Sequence, residues 1–204
     1  DCSRPVEPDV DVVVGGVRLP DHVRLPVRPY RTLCVVLEPG EPLDESFPLA
    51  RIGDEHLYMR PEHNGDLLVG GGRELLDDPE RASESDDEAF RRAIAAKLPE
   101  LVSGFEAAGV VNGWAGVDGA TPDTRPIVDA PDAGPENLLV ATGFHGRGVM
   151  TAPVAATLLR SFVTGEGSEL PAEEFALSRF ESPSPDFEFT SISAGEADEE
   201  DAED

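Results

Sequence analysis

The chain has 204 residues, of which 42 are Asp or Glu and only 16 are Lys or Arg, for a formal net charge of −26. Hydrophobic residues make up 39 %, a globular composition with room for one sizeable core or two small ones. So large an excess of acid repels nucleic acid and anionic lipid, and neither is expected as a partner.

Lys97 is the single lysine; every other basic residue is Arg. At molar salt the screening length falls to about 3 Å, and most of the self-repulsion of such a surface disappears. Acid spread along the whole chain with almost no lysine therefore predicts a halophilic protein of a high-salt cytoplasm. Cys2 and Cys34 offer neither a disulfide framework nor metal-ligand spacing, which fits a reducing, cytoplasmic compartment. His22, His56 and His63 are scattered, so no metal site is expected. The most apolar stretch, Val149 to Val163, contains Arg160 and is too short for a membrane span. No G-x-S-x-G elbow supports a hydrolase.

In chain order, Val10 to Val14 reads as an edge strand ended by Gly15-Gly16. Arg31 to Glu38, rich in β-branched residues and bounded by Pro29 and Pro39, reads as a second strand. His56 to Arg60 and Asp66 to Gly70 flank Pro61–Gly65, where Asn64-Gly65 supplies the positive φ of a hairpin connection. This punctuation predicts an antiparallel sheet. Ser85-Asp86-Asp87-Glu88 has the capping-box pattern, and Phe90, Ile94 and Leu98 then recur at helical spacing. Pro99 interrupts or restarts that helix, and Gly104 or Gly109 ends it. Val110 to Trp114 precedes a loop rich in Gly and Pro. A strand is expected at Asn137 to Ala141 and a helix from about Val149 to Thr164, with Gly165 as its stop. From Ser182 onward Ser, Pro and acid predict a disordered tail.

The segment Leu138-Leu139-Val140-Ala141-Thr142-Gly143-Phe144-His145-Gly146-Arg147-Gly148 reads as a strand, a glycine-punctuated loop and a helix start. Glycines at 143, 146 and 148 admit close approach of a ligand to backbone. The helix N-terminus and Arg147 favour an anionic or electron-rich group: a phosphate, a carboxylate, or a flavin that gains negative charge on reduction. A loop that merely turns tightly has the same letters, so the loop alone leaves both readings open.

The order of motifs adds to this. Leu57-Tyr58-Met59-Arg60-Pro61, Asn64-Gly65, Leu68-Val69-Gly70-Gly71, Trp114-Ala115-Gly116, Thr121-Pro122-Asp123 and Pro126-Ile127-Val128 precede the glycine loop. Ala152-Pro153 follows it. The ordered set resembles the C-terminal half of the FAD-dependent oxidoreductase family of D-amino-acid oxidase, sarcosine oxidase and dimethylglycine dehydrogenase type, over about Leu25 to Gly165.

The resemblance implies an α+β fold: an antiparallel substrate-domain sheet plus the C-terminal strand–loop–helix part of an FAD-binding α/β domain. Residues 1–109 would then be substrate domain, 110–181 the return to the FAD domain, and 182–204 the acidic tail. It implies FAD contacts at Gly143, Phe144, His145, Gly146, Arg147, Gly148, Val149 and Met150. It also implies hydride transfer to flavin from the carbon bearing the nitrogen of a small amine or amino acid. Tyr58 and Arg60 become candidate substrate contacts, where the plain reading is a packed strand tyrosine and a solvated arginine. No catalytic residue is assigned.

The chain departs from the family pattern at several positions. Arg147 stands where the loop usually carries His, and Asp118 where amino-acid and glycine oxidases place an Arg for the substrate carboxylate. Met150 replaces a lysine of some sarcosine oxidases. Gly116 replaces the cysteine that tethers flavin in some relatives, so FAD is expected to be non-covalent. No G-x-G-x-x-G follows a strand, so the N-terminal Rossmann unit that cradles the ADP half is expected from a longer protein or a partner chain. A non-catalytic subunit or inactive remnant binding such a partner is the other reading left open.

Overall fold

The computed structural model describes residues 11–14, 24–44, 46–53, 57–132 and 138–189. In chain order they form strands β1 (Asp11–Val14), β2 (Arg28–Glu38), β3 (Ala50–Ile52), β4 (Leu57–Pro61) and β5 (Leu67–Leu75), then helix α1 (Glu88–Leu101). Strands β6 (Gly109–Ala120), β7 (Ile127–Asp129) and β8 (Leu138–Thr142) and helix α2 (Gly148–Thr164) follow. Of these residues, Tyr30–Val117 form one compact unit; those up to Pro29, together with those from Asp118 onward, form the other. The division read from the sequence at residue 109 therefore differs from these units, because β1 groups with the later part of the chain.

In the unit of residues 30–117, five strands lie in the order β3-β4-β5-β2-β6. The pairs β3–β4, β4–β5 and β5–β2 are antiparallel, as the hairpin punctuation predicts. Alternation along the strands sends Val35, Leu37, Leu57, Met59, Leu67 and Val69 to one face, where they pack with Ile94 and Leu98 of α1 and with Phe105. Tyr58 and Arg60 point the other way and are exposed. The β4–β5 connection closes with Glu62 N donating to Asp66 O at 2.8 Å and Gly65 at φ +86°. The capping box is not formed: Asp87 rather than Ser85 caps α1, its Oδ1 accepting from Phe90 N at 2.7 Å, and Glu88 is the first helical residue instead of the third. Pro99 lies inside α1, which ends at Leu101, before Gly104. The expected Gly-rich loop after Trp114 instead continues β6 to Ala120, since a pairing strand at its side outweighs the weak strand propensity of glycine.

Arg31 on β2 holds the segment between β5 and α1. Its Nε donates to Ser83 O at 3.1 Å, its Nη2 to Ser85 O, and its Nη1 reaches Glu74 at 3.2 Å and Asp87 at 3.1 Å. The next carbonyl inside that span, Glu84 O, accepts from Ala115 N of β6 at 2.7 Å. One buried guanidinium thus fixes the segment that ends in the helix cap.

The other unit carries a three-stranded sheet, β1-β8-β7, in which β1 is the edge, as the sequence suggests, and runs parallel to β8. All five residues of β8 are buried because both faces are covered. Leu138 and Val140 pack with Leu25 and Ile127, while Ala141 packs with Val128 and with Ala155 and Leu158 of α2. The turn from Thr121 to Arg125 is tied on itself by Thr121 Oγ1 donating to Arg125 O at 2.8 Å and by Arg125 N donating to Asp123 Oδ1 at 3.1 Å. Arg179 clasps the same turn: Nε donates to Asp123 Oδ2 at 2.7 Å, and Nη2 to Asp123 Oδ1 at 3.1 Å and to Arg125 O at 2.8 Å.

Residues 182–189, expected to begin a disordered tail, are placed: Arg28 Nη1 donates to Phe187 O at 2.6 Å. The remainder of that tail, from residue 190, lies outside the described residues. Among the described residues no helix is long and apolar enough to cross a membrane.

Two expectations follow. Arg31→Met removes the donors of Ser83 O and Ser85 O and should cost about 1–3 kcal/mol, the lower end being favoured because Glu74 and Asp87 are partly exposed and remain solvated. It should also speed amide exchange at Ala115, and an unchanged denaturation midpoint with unchanged exchange would refute the clamp. The second concerns acid. Burial acts to raise the Asp123 carboxyl, but the Arg179 guanidinium and two backbone donors outweigh it and hold the group below its ordinary value. A depressed folded value means that this stabilisation is present above about pH 4 and is lost as the pH falls through the folded value. Asp123→Asn should therefore flatten the acid limb of the stability–pH curve, measured by urea unfolding, relative to wild type.

Candidate functional site

The glycine loop between β8 and α2 is held by its own chain at each turn. Gly143 has φ +70°, and a Cβ there would stand 2.4 Å from Thr121 Cγ2. This glycine is required by packing and conformation alone. His145, buried and at φ +53°, donates its N–H to Gly119 O at 3.1 Å, and its ring lies 5.4 Å from that of Phe189. Gly146 donates its N–H to Asp118 Oδ2, while Asp118 Oδ1 accepts from Gly119 N at 2.7 Å. Asp118 was read from the sequence only as a departure from a pattern. It is the anchor that shapes the loop, a role no sequence signal announced.

Arg147 is the N-cap residue of α2, and its Nη2 donates to Thr124 O. Thr124, like His145, has a positive φ, at +60°, a costly conformation for a β-branched side chain. Arg147 thus steadies a strained carbonyl on the Thr121–Arg125 turn, and the turn in turn fixes the position of the guanidinium.

The end of α2 is open. No side chain caps it, and the first helical bond runs from Thr151 N to Arg147 O at 3.0 Å. The N–H groups of Gly148, Val149 and Met150 precede that bond and point out of the helix end. Val149 and Met150 are 94 % and 69 % exposed, an unusual state for two successive apolar residues. A Cβ on Gly148 would meet nothing nearer than Phe144 Cβ at 3.8 Å, so the chain itself does not require glycine there. Open donors, a fixed guanidinium, apolar cover and a vacant Cβ position together fit a flat, electron-rich group at the helix end.

Tyr58 and Arg60 stand on β4, two residues apart and on the same face. Arg60 forms an ion pair with Glu62 at 3.0 Å, and the Tyr58 hydroxyl lies 3.2 Å from Cys34 Sγ. Gly116 is exposed on β6. Trp114 is 39 % exposed. Among the described residues no group of three His, Cys, Asp or Glu side chains is placed to hold a metal ion.

Comparison with known proteins identifies the family of the chain. The family model described as FAD dependent oxidoreductase matches residues 8–161. Glycine oxidase of Pseudomonas putida is 28 % identical over 143 residues, covering 70 % of this chain and 37 % of that protein. The bifunctional protein ThiO/ThiG of Trichormus variabilis is 25 % identical over 171 residues, covering 83 % and 25 %. N-methyl-L-tryptophan oxidase of Salmonella enteritidis is 33 % identical over 131 residues, covering 63 % and 34 %. The chain thus spans 25–37 % of the length of these curated relatives. In fold it is similar to iminodiacetate oxidase from Chelativorans, with a TM-score of 0.68 at 22 % identity over 85 % of this chain and 47 % of that one. L-proline dehydrogenase from P. horikoshii gives 0.65 at 23 % identity, over 79 % and 42 %. With three quarters of its length inside the family model, the chain belongs to the FAD-dependent oxidoreductases of the D-amino-acid oxidase family, whose cofactor is FAD.

Proposed function

We propose that this chain is the flavin- and substrate-contacting portion of an oxidoreductase that oxidises the C–N bond of a small amine. Its ADP-binding half would be supplied by polypeptide outside these 204 residues, in the same protein or in a partner chain. The observation that carries the reading is the open end of α2, where three backbone donors, Gly148 and Arg147 converge. Bound FAD would supply the hydride acceptor for the carbon bearing the nitrogen, so that the amine would leave as an imine for water to hydrolyse. The part assigned to this chain is electrostatic and steric. Gly143 to Met150 hold the ring system, the donors of residues 148–150 and the Arg147 guanidinium favour negative charge gained on reduction, and Val149 and Met150 exclude water.

Tyr58 and Arg60 are assigned to the substrate. An amine is favoured over an amino acid by Asp118: a carboxylate on β6, hydrogen-bonded to the glycine loop, repels a substrate carboxylate and attracts an ammonium. Gly116 offers no sulfur for a thioether, so FAD is held non-covalently. The acidic composition and the scarcity of lysine support a high-salt cytoplasm as its setting.

The two glycines separate the flavin reading from a purely structural loop. Gly148→Ala should leave the melting curve of the chain unchanged, since no atom of its own lies within 3.8 Å, yet lower FAD occupancy when the chain is co-expressed with the dinucleotide-binding half. Gly143→Ala should instead destabilise the chain itself. Equal FAD content in the Gly148→Ala and wild-type complexes would remove the flavin from this end of α2. Flavin from the wild-type complex should appear in the supernatant after acid precipitation and should bleach with an N-methyl amine under anaerobic conditions.

Salt tests the surface. The cooperative thermal transition should weaken below a few hundred millimolar KCl, an order of magnitude set by the screening length, and recover at molar KCl. A melting temperature independent of salt would contradict the halophilic reading.

A further inference from the structure

On the face of the β3-β4-β5-β2-β6 sheet opposite the core, three residues share one cross-strand row. Cys34 on β2 pairs with Gly70 on β5, and Gly70 pairs with Tyr58 on β4. The Tyr58 ring crosses the row. A Cβ on Gly70 would stand 2.1 Å from Tyr58 Cζ and 2.2 Å from its hydroxyl, so the outer half of the ring occupies the space a side chain at residue 70 would fill. At the far side the hydroxyl meets Cys34 Sγ at 3.2 Å. Cys34 is 7 % exposed, while Tyr58 keeps 38 % of its surface exposed. A tyrosine packed for cover alone would leave its hydroxyl to water. Here the hydroxyl is turned inward onto a buried thiol, with the ring laid over a glycine.

We propose that Cys34 and Gly70 are positioning residues for Tyr58, fixing its phenol across the open sheet face in the orientation that contacts substrate. This rests on the assignment of Tyr58 to the substrate made above. The thiol supplies a weak but directional partner that stops the ring from swinging into solvent, and the glycine supplies the space beneath it. Both groups stay neutral at physiological pH. Burial pushes the Tyr58 phenol up, and the neighbouring Cys34 thiol adds to this, while the positive charge of Arg60 acts weakly the other way. Burial likewise pushes the Cys34 thiol up, opposed by its hydrogen bond to Tyr58 and by Arg60. A protonated phenol held in this way presents a neutral group to an amine and leaves the positive charge on this part of the sheet face to Arg60 and to Arg51, the cross-strand partner of Tyr58 on β3.

Two measurements separate position from function. The first uses the 204-residue chain with Cys2→Ser, which leaves Cys34 as its only thiol. Gly70→Ala should displace the exposed ring without breaking the strand, and both it and Tyr58→Ala should raise the rate of Cys34 labelling by a neutral thiol reagent about tenfold at unchanged melting temperature. An unchanged labelling rate in both variants overturns the packing on which the proposal stands.

The second uses the FAD-loaded complex with an N-methyl amine. Cys34→Ala, Gly70→Ala and Tyr58→Phe should each raise KM about fivefold with kcat little changed, and Cys34→Ser should restore the wild-type KM. If Tyr58→Phe raises KM while Cys34→Ala and Gly70→Ala do not, the positioning role is wrong and the substrate role of Tyr58 stands. If Tyr58→Phe leaves KM unchanged, the substrate assignment fails and this inference fails with it.

Discussion

The Thr121–Arg125 turn is the constraint on which the glycine-loop unit depends. Thr121 is fully buried and does two things at once: its hydroxyl closes the turn on Arg125 O, and its methyl lies where a Cβ on Gly143 would go. Two arginines from distant parts of the chain then bind the turn's outer groups, Arg147 through Thr124 O and Arg179 through Asp123 and Arg125 O. The segment Thr121-Pro122-Asp123 is thus a hub joining the glycine loop to the segment after α2. The positive φ of Thr124 is a cost the hub sustains, and a strained residue is kept where surrounding contacts over-determine it.

Asp118 complicates a simple picture of the loop as an anion cradle. Its carboxylate already accepts the Gly146 N–H, so that donor is turned toward the protein. The N–H groups that precede the first helical bond are further along, at Gly148 to Met150, and it is these that we assign to the flavin. A loop that anchors its first half internally and opens only its second half is stiff before any ligand arrives, which lowers the ordering cost of binding. The same carboxylate sets the local sign of charge: negative where Asp118 meets Gly146 and positive at Arg147, the next residue.

Much of the frame was readable from sequence, and the misses have physical causes. The hairpin at Asn64-Gly65, the start of α1 among the capping residues 85–88 and the buried strand ahead of the glycine loop each rest on local chemistry: a turn, a cluster of cap-forming side chains, a run of apolar residues. The extent of β6 was not readable, because glycines at 113, 116 and 119 lower local strand propensity and only pairing with β2 restores it. The grouping of β1 with β8 spans more than a hundred residues and leaves no local trace. In the candidate site, the letters located the loop but could not distinguish its glycines. Gly143 is demanded by Thr121, whereas Gly148 is left unexplained by its own chain, and that difference exists only in three dimensions.

The net charge of −26 also becomes more specific once the arginines are placed. Arg31, Arg147 and Arg179 are engaged with backbone carbonyls at short range, and two of them also hold carboxylates. Contacts of this kind, partly buried and directional, are little affected by added salt. By contrast, the repulsion among exposed carboxylates acts over several ångströms through solvent and is screened. Raising the salt therefore removes the unfavourable long-range term while leaving the favourable short-range one. A planar guanidinium suits this better than an ammonium, because it reaches two or three acceptors at fixed angles from one buried position. At Arg31 and Arg179 the guanidinium makes a set of contacts that a single ammonium could not make from one position.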